Sequence, residues 1–170
     1  MDVMDAIERR YSCRAYEDRP IPEALLDELI QAARLAPSAR NFQDWRFVVV
    51  TDPTVKNQLC DQAIAQPFVR QDPALMVACG CNPYVMRCGQ PIAPIDVAIA
   101  MEHIVLTAAS RGLGTCWIGS FDPHKVRQVL QIPSHIAIID LLLLGWPAEA
   151  QKSPDRLPPN KIACRNRWAF

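Results

Sequence analysis

The 170-residue sequence predicts an α+β sandwich, one sheet covered by helices. Three observations carry this reading. Apolar residues at helical spacing alternate with short β-branched runs through the middle of the chain. The amino-terminal third is mostly helical. No repeat, low-complexity block or linker divides the sequence, so residues 1–170 form a single domain, with 147–170 as an extended carboxyl-terminal arm. A doubly wound α/β fold is the second reading of the same pattern.

Each element has a local cause. Asp2 opens a short helix whose apolar side is Val3, Met4 and Ile7, running into the basic stretch Arg9-Arg10-Tyr11-Ser12-Cys13-Arg14. Pro22 starts a second helix, with Leu25, Leu26, Leu29, Ile30 and Ala33 at helical spacing, which ends before Pro37. Pro37 to Asn41 is a polar loop, and Arg46 to Thr51 a strand by its β-branched content. A third helix is predicted over 53–65, a second strand over 74–81 and a loop over 82–94. Residues 95–111 are apolar nearly all round and predict the central helix, stopped by Gly112 in a left-handed cap. Thr115 to Ile118 is a third strand. Asp122 and Pro123 are the N-cap and first position of a helix reaching Leu130. The apolar run from Ile136 to Leu144 predicts a central fourth strand, broken by Gly145-Trp146-Pro147. The tail, Ala148 to Phe170, mixes Lys152, Pro154, Arg156, Pro158, Pro159, Lys161, Arg165 and Arg167 with Ile162, Trp168 and Phe170. A polar segment with a few large apolar anchors suits an arm laid over another surface.

Eighteen basic residues balance eighteen acidic ones, which argues against a nucleic-acid partner. The start is acidic rather than basic-then-apolar, and the longest apolar run, interrupted by Asp140, is too short to span a bilayer. The expectation is therefore a cytoplasmic protein with no membrane contact. Seven cysteines in a reducing compartment are read as free thiols. Cys79, Cys81 and Cys88 invite a metal reading, but the spacing supplies only one tight pair.

The catalytic signatures that fail narrow the chemistry. Gly112-Leu113-Gly114 has a helix before it and a strand after it, the reverse of a dinucleotide-binding loop. No Gly-x-Ser-x-Gly elbow is present, and His103, His124 and His135 are not at metal-binding spacing. Glu102-His103 reads as a buried polar pair satisfied by its neighbours. What remains is Ser12 flanked by Arg10 and Arg14: two forked cations and a hydroxyl that suit an anionic ligand, or simply a solvated face. Asn41 and Gln43 either present amides to a ligand or close a local turn.

On four motifs the sequence resembles the FMN-dependent nitroreductases. Arg9-Arg10-Tyr11-Ser12-Cys13-Arg14 is similar to the family's opening Arg-Arg-x-Ser-x-Arg. Ala36 to Phe47 is similar to its Ala-Pro-Ser-x-x-Asn-x-Gln-Pro-Trp-x-Phe segment, and Gly112 to Gly119 to its Gly-Leu-Gly-Thr-Cys-Trp-Ile-Gly strand. Arg156-Leu157-Pro158 and Arg165-Asn166-Arg167-Trp168 resemble its carboxyl-terminal arm. The chain departs from the family at Asp44, where a proline is usual. It departs again in the short 82–94 region, and in 58–70, where an Asn and a Lys reach flavin in some members.

The resemblance implies a mostly antiparallel four-stranded sheet and a homodimer whose arms embrace the partner subunit. It implies FMN between the subunits, with Arg10, Ser12 and Arg14 toward the pyrimidine side of the ring and the phosphate region. Pro37, Ser38 and Asn41 would reach the cofactor from the other subunit, and Arg156 would pair with the phosphate. Ile118, Gly119 and Ser120 would lie beside the ring, and Tyr11, Gln43 and Trp117 complete the implied set. The activity implied is two-electron transfer from NADH or NADPH through the flavin to a nitroaromatic, quinone or similar small acceptor, in a ping-pong cycle with no catalytic side chain. Other readings are a flavin-binding redox sensor or store using Cys13 and Cys116, and a dehalogenation or dehydrogenation on the same fold.

Overall fold

The two most continuously apolar strands of the sequence sit at the centre of the sheet. In the computed structural model, which describes residues 1–71, 73–151 and 155–170, β1 is Trp45–Val50, β2 Ala74–Gly80, β3 Gly114–Ile118 and β4 Ala137–Gly145. The sheet order is β1-β2-β4-β3 and each neighbouring pair is antiparallel, which rules out the doubly wound alternative. All seven residues of β2 are buried, as are Leu141 to Gly145 of β4, because both faces are covered.

Strand alternation divides the core in two. Leu75, Val77, Leu141 and Leu143 turn toward α3 (Pro53–Gln62) and α5 (Pro123–Leu130). Met76, Leu142 and Leu144 turn toward α2 (Glu23–Arg34) and α4 (Ile92–Ser110). The first helix, α1 (Val3–Arg9), flanks α4. By length and composition α4 could cross a membrane, yet 56% of its most apolar 18-residue stretch is buried inside this fold, as a helix apolar all round must be when it lies at a core.

The capping chemistry is mostly as the sequence predicts. The Asp2 and Asp5 side chains each accept the other's backbone N–H, forming a reciprocal capping box. Asp52 and Asp122 cap α3 and α5 with proline following. Gly112, at φ 80°, ends α4, and Leu113 N–H returns to the Ala108 carbonyl.

Three boundaries differ from expectation, and the structure adds what the sequence left open about α1. Pro22 lies just outside α2 rather than at its first position. The helix α3 stops at Gln62, and a separate 3-10 turn over Pro67–Gln71 follows. The loop after β2 is shorter than predicted, because α4 starts at Ile92; Pro94 is tolerated inside its first turn, where backbone N–H groups lack helical partners anyway. The apolar side of α1 does not face the core: Val3, Met4 and Ile7 are exposed and only Ala6 is buried. Lys152 and Pro154 of the tail lie outside the described residues.

Candidate functional site

The predicted site residues fall at opposite edges of the sheet. Leaving α1, the chain crosses to the outer edge of β3, where Ser12 bridges Thr115 in parallel and Cys13 N–H donates to the Thr115 carbonyl at 2.9 Å. Alternation then directs the side chains. Tyr11 and Cys13 turn inward, Ser12 and Arg14 are exposed, and Arg10 is half-buried. The close approach requires Gly114, since a Cβ there would lie 2.7 Å from both Cβ and Sγ of Cys13.

The base of the tail straps this segment down. Tyr11 donates its hydroxyl to the Glu149 carbonyl at 3.1 Å, the Glu149 carboxylate accepts Arg14 N–H at 3.0 Å, and Gln151 donates to the Glu8 carbonyl at 2.8 Å. The Arg14 guanidinium is left outward, donating to the Ser12 carbonyl at 3.5 Å and lying 6.0 Å over the Phe68 ring. Arg10 has a counterpart that sequence reasoning assigned no place in the site. Burial raises the Glu102 carboxyl above its ordinary value, while Arg10 and His103 pull it back down. The available signal was the Glu102-His103 pair in a largely apolar helix. The thiols of Cys13 and Cys116 are both pushed up by burial, and that of Cys79 is pushed up to about 11, so none is favoured as a thiolate.

At the far end of β3, Trp117 is half-buried on the α4 face, Ile118 is buried on the opposite face, and Gly119 and Ser120 emerge exposed. A Cβ at Gly119 would meet nothing within 4 Å, so the space beside it is open. Beyond the last pair of this ladder, Ile118 with Leu141, stands the half-buried Asp140, whose carboxyl is raised by burial.

The other group precedes β1. Pro37 is exposed, Ser38 half-buried, and Ala39–Asn41 makes a 3-10 turn. Arg40, Asn41 and Gln43 all have positive φ, at 50°, 58° and 51°, an uncommon conformation for residues other than glycine. Ser38 Oγ accepts Gln43 N–H at 3.0 Å, and Gln43 donates its amide to the Asn41 carbonyl at 3.2 Å. Asn41 and Gln43 are exposed, and Arg156 is exposed in the tail. Three inter-strand spacings separate β1 from β3, roughly 14 Å. Within one chain, the loop and the Arg10–Arg14 segment therefore stand apart.

The sequence profile of the Nitroreductase family matches residues 7–87 and 65–146. The chain belongs to the nitroreductase family. A relative from Thermus thermophilus described as an NADH dehydrogenase is 34% identical over 194 residues, covering 95% of each chain. An FMN reductase (NAD(P)H) of Bacillus subtilis is 26% identical, over 95% of this chain and 72% of its own. Among solved structures, a nitroreductase family protein of Clostridium difficile 630 superposes with a TM-score of 0.88 at 26% identity, over 99% and 100% of the two chains. The four-stranded antiparallel sheet with its five helices is thus the nitroreductase fold.

Proposed function

We propose that this nitroreductase is an FMN-dependent enzyme that takes two electrons from NADH or NADPH and delivers them to a small acceptor such as a nitroaromatic or a quinone. Its role as an oxidoreductase follows from its family and from relatives described as an NADH dehydrogenase and an FMN reductase. The observation that carries the finer reading is the β3 edge. Ser12 and Arg14 stand outward and Arg10 half-buried along it, and the strand ends in an open space at Gly119. That surface fits a flat, anionic ligand, with fixed cations at one edge and backbone beyond the strand end able to approach closely.

When bound, flavin supplies the hydride-accepting and hydride-donating chemistry. The chain's own residues bind and orient. Arg10 and Arg14 provide preorganised positive charge, and the Ser12 hydroxyl a donor. Trp117 walls the α4 side, and the exposed backbone at Gly119 and Ser120 offers N–H donors. Ile118 is buried behind them, and Tyr11 holds the segment from beneath. Arg156 serves the phosphate, and Glu102 keeps Arg10 in place.

The second half of the reading is that two copies build the site. Pro37, Ser38, Asn41 and Gln43 are roughly 14 Å of sheet away from the basic edge, so a ligand touching both sets would take the loop from a partner. Exposed Val3, Met4 and Ile7, together with Ile162, Trp168 and Phe170, give such a partner apolar surface to cover. The test is purification followed by an absorption spectrum, identification of the released flavin, and oxidation of NADH and NADPH with a quinone. Flavin bands, release of FMN and steady turnover are expected. Release of FAD, or no flavin after reconstitution with excess FMN, overturns the reading.

A further inference from the structure

The loop before β1 is fastened on both sides of a residue that has no role in the site so far. Asp96, on the second turn of α4 and 3% exposed, accepts the Ala39 N–H with both oxygens, at 3.2 and 3.0 Å. Further along, Ser38 Oγ accepts Gln43 N–H at 3.0 Å. Between these fastenings stands Arg40, exposed and at φ 50°, ψ 20°, a left-handed conformation uncommon for a long side chain. Backbone held this way persists only where its surroundings enforce it, and it gathers at binding sites.

The segment after β2 receives the Arg40 side chain. Tyr84 is fixed through its backbone, its N–H donating to Asn82 Oδ1 at 3.0 Å and its carbonyl accepting Ile92 N–H at 3.1 Å. Residues 84–92 return as a small hairpin, in which Val85 bridges Pro91 and Met86 N–H donates to the Gln90 carbonyl at 2.8 Å. The Arg40 guanidinium lies 5.1 Å from the centroid of the Tyr84 ring, and the Phe42 ring stands 5.9 Å from it, tilted by 60°. A ring face attracts a cation and restricts its rotamers without neutralising it. Among the described residues no carboxylate forms an ion pair with Arg40. The acid nearest in sequence, Asp44, is 5% exposed, and neither of its carboxylate oxygens has a hydrogen-bond partner. Arg46, by contrast, donates its guanidinium to the Gln43 and Trp45 carbonyls. Arg40 is thus a positioned charge that no counter-ion of the described chain balances.

We propose that Arg40 is a specificity-determining residue of the shared site, its guanidinium laid over Tyr84 so as to favour acceptors that carry an anionic group on a planar aromatic ring. This rests on the reading that Ser38 and Asn41 reach a flavin held by a second copy, because Arg40 lies between them on the same loop. A carboxylate or sulfonate on the acceptor gives the guanidinium a forked, charge-assisted contact that a neutral analogue lacks. Tyr84 is the positioning residue for that charge. Phe42, 41% exposed beside it, leaves an aromatic face open to the acceptor ring. Arg40 takes no part in the electron transfer itself; it selects what enters.

The experiment compares 4-nitrobenzoate with 4-nitrobenzamide, which differ chiefly in charge, as acceptors for NADH oxidation by the FMN-loaded protein. The quantity read is the ratio of kcat/KM for the anion to that for the amide, so intrinsic reactivity cancels between parent and variant. Arg40→Gln should lower the ratio by about three- to fivefold, the size of an exposed charge contact. Raising the ionic strength should lower it in the parent and leave it flat in that variant. Tyr84→Leu, which frees the guanidinium, should lower the ratio part-way and serves if the first variant does not fold. Tyr84→Phe should keep the parental ratio, because the ring rather than the hydroxyl holds the charge. A role confined to holding the loop would move both acceptors together and leave the ratio unchanged. Where turnover is slow, calorimetric binding of the two compounds to the same protein gives the ratio directly. Absence of FMN overturns the flavin reading and this inference with it. An FMN-loaded protein whose ratio is equal in parent, Arg40→Gln and Tyr84→Leu overturns this inference alone.

Discussion

The two edges of the sheet end differently. At β3 the chain finishes its own edge: residues 12–16 run alongside, bonded through Thr115, and the base of the tail locks them with bonds from Tyr11, Arg14 and Gln151. At β1 no strand of the described residues pairs on the outer side, and the approach to it is a loop with three left-handed residues held by Ser38 and Asp96. An unpaired edge is a liability that proteins cover or blunt. The difference teaches which edge the described residues finish by themselves and which they leave open. The finished edge carries the exposed Ser12 and Arg14, and the unfinished one is approached through Arg40, Asn41 and Gln43 in left-handed backbone.

The sharpest way to break the comparison is to remove the arm while sparing the finished edge. Ala148 to Gln151 hold the N-terminal segment, so the cut belongs after Gln151. Burial of Ile162, Trp168 and Phe170 against a partner would contribute about 1.5–3 kcal/mol each. The truncated protein should run as a monomer by light scattering and lose flavin with the partner, because the two are linked by mass action. A truncated monomer that keeps parental FMN affinity would separate the unfinished edge from the site.

Arg156→Ala asks whether the arm contributes charge as well as packing. Loss of a forked contact to phosphate should cost about 1.5–3 kcal/mol, tenfold or more in FMN affinity by titration, with Tm unchanged since the side chain is exposed. Unchanged affinity moves the phosphate contact to another tail cation such as Arg165.

Gly114→Ala attacks the finished edge from within. The new methyl meets Cys13 at 2.7 Å, so the segment must shift off β3 at about 1–3 kcal/mol, read as a lower midpoint in denaturant. The smallest effect is expected from Ser38→Ala, which orphans the Gln43 N–H. About 0.5–1.5 kcal/mol, with faster exchange at that amide, would show that the loop is fastened at Ser38 as well as at Asp96.

Much of this was legible locally. A helix cap needs only its own residues, so Asp122-Pro123 and Gly112 are where the sequence puts them. The apolar runs of β2 and β4 announced strands buried on both faces. The site was less legible, because its geometry depends on residues far apart in sequence. The pull of Arg10 on the Glu102 carboxyl, and the Glu149 carboxylate accepting Arg14 N–H, link positions some 90 and 135 residues apart, which no spacing rule reaches. The outward placement of Val3, Met4 and Ile7 was not legible for the same reason: apolar periodicity identifies a face but not what covers it.

The sequence by itself determined the kinds and order of the elements, their caps and the family motifs, since these are short-range matters of backbone preference and side-chain period. Only the tertiary structure decided that β1 and β3 take opposite edges, that Asp96 is buried and bonded to the Ala39 N–H, and that Tyr11 is bonded to the base of the tail. These depend on which distant segments pack together, and packing is chosen by the whole buried surface rather than by any stretch of chain.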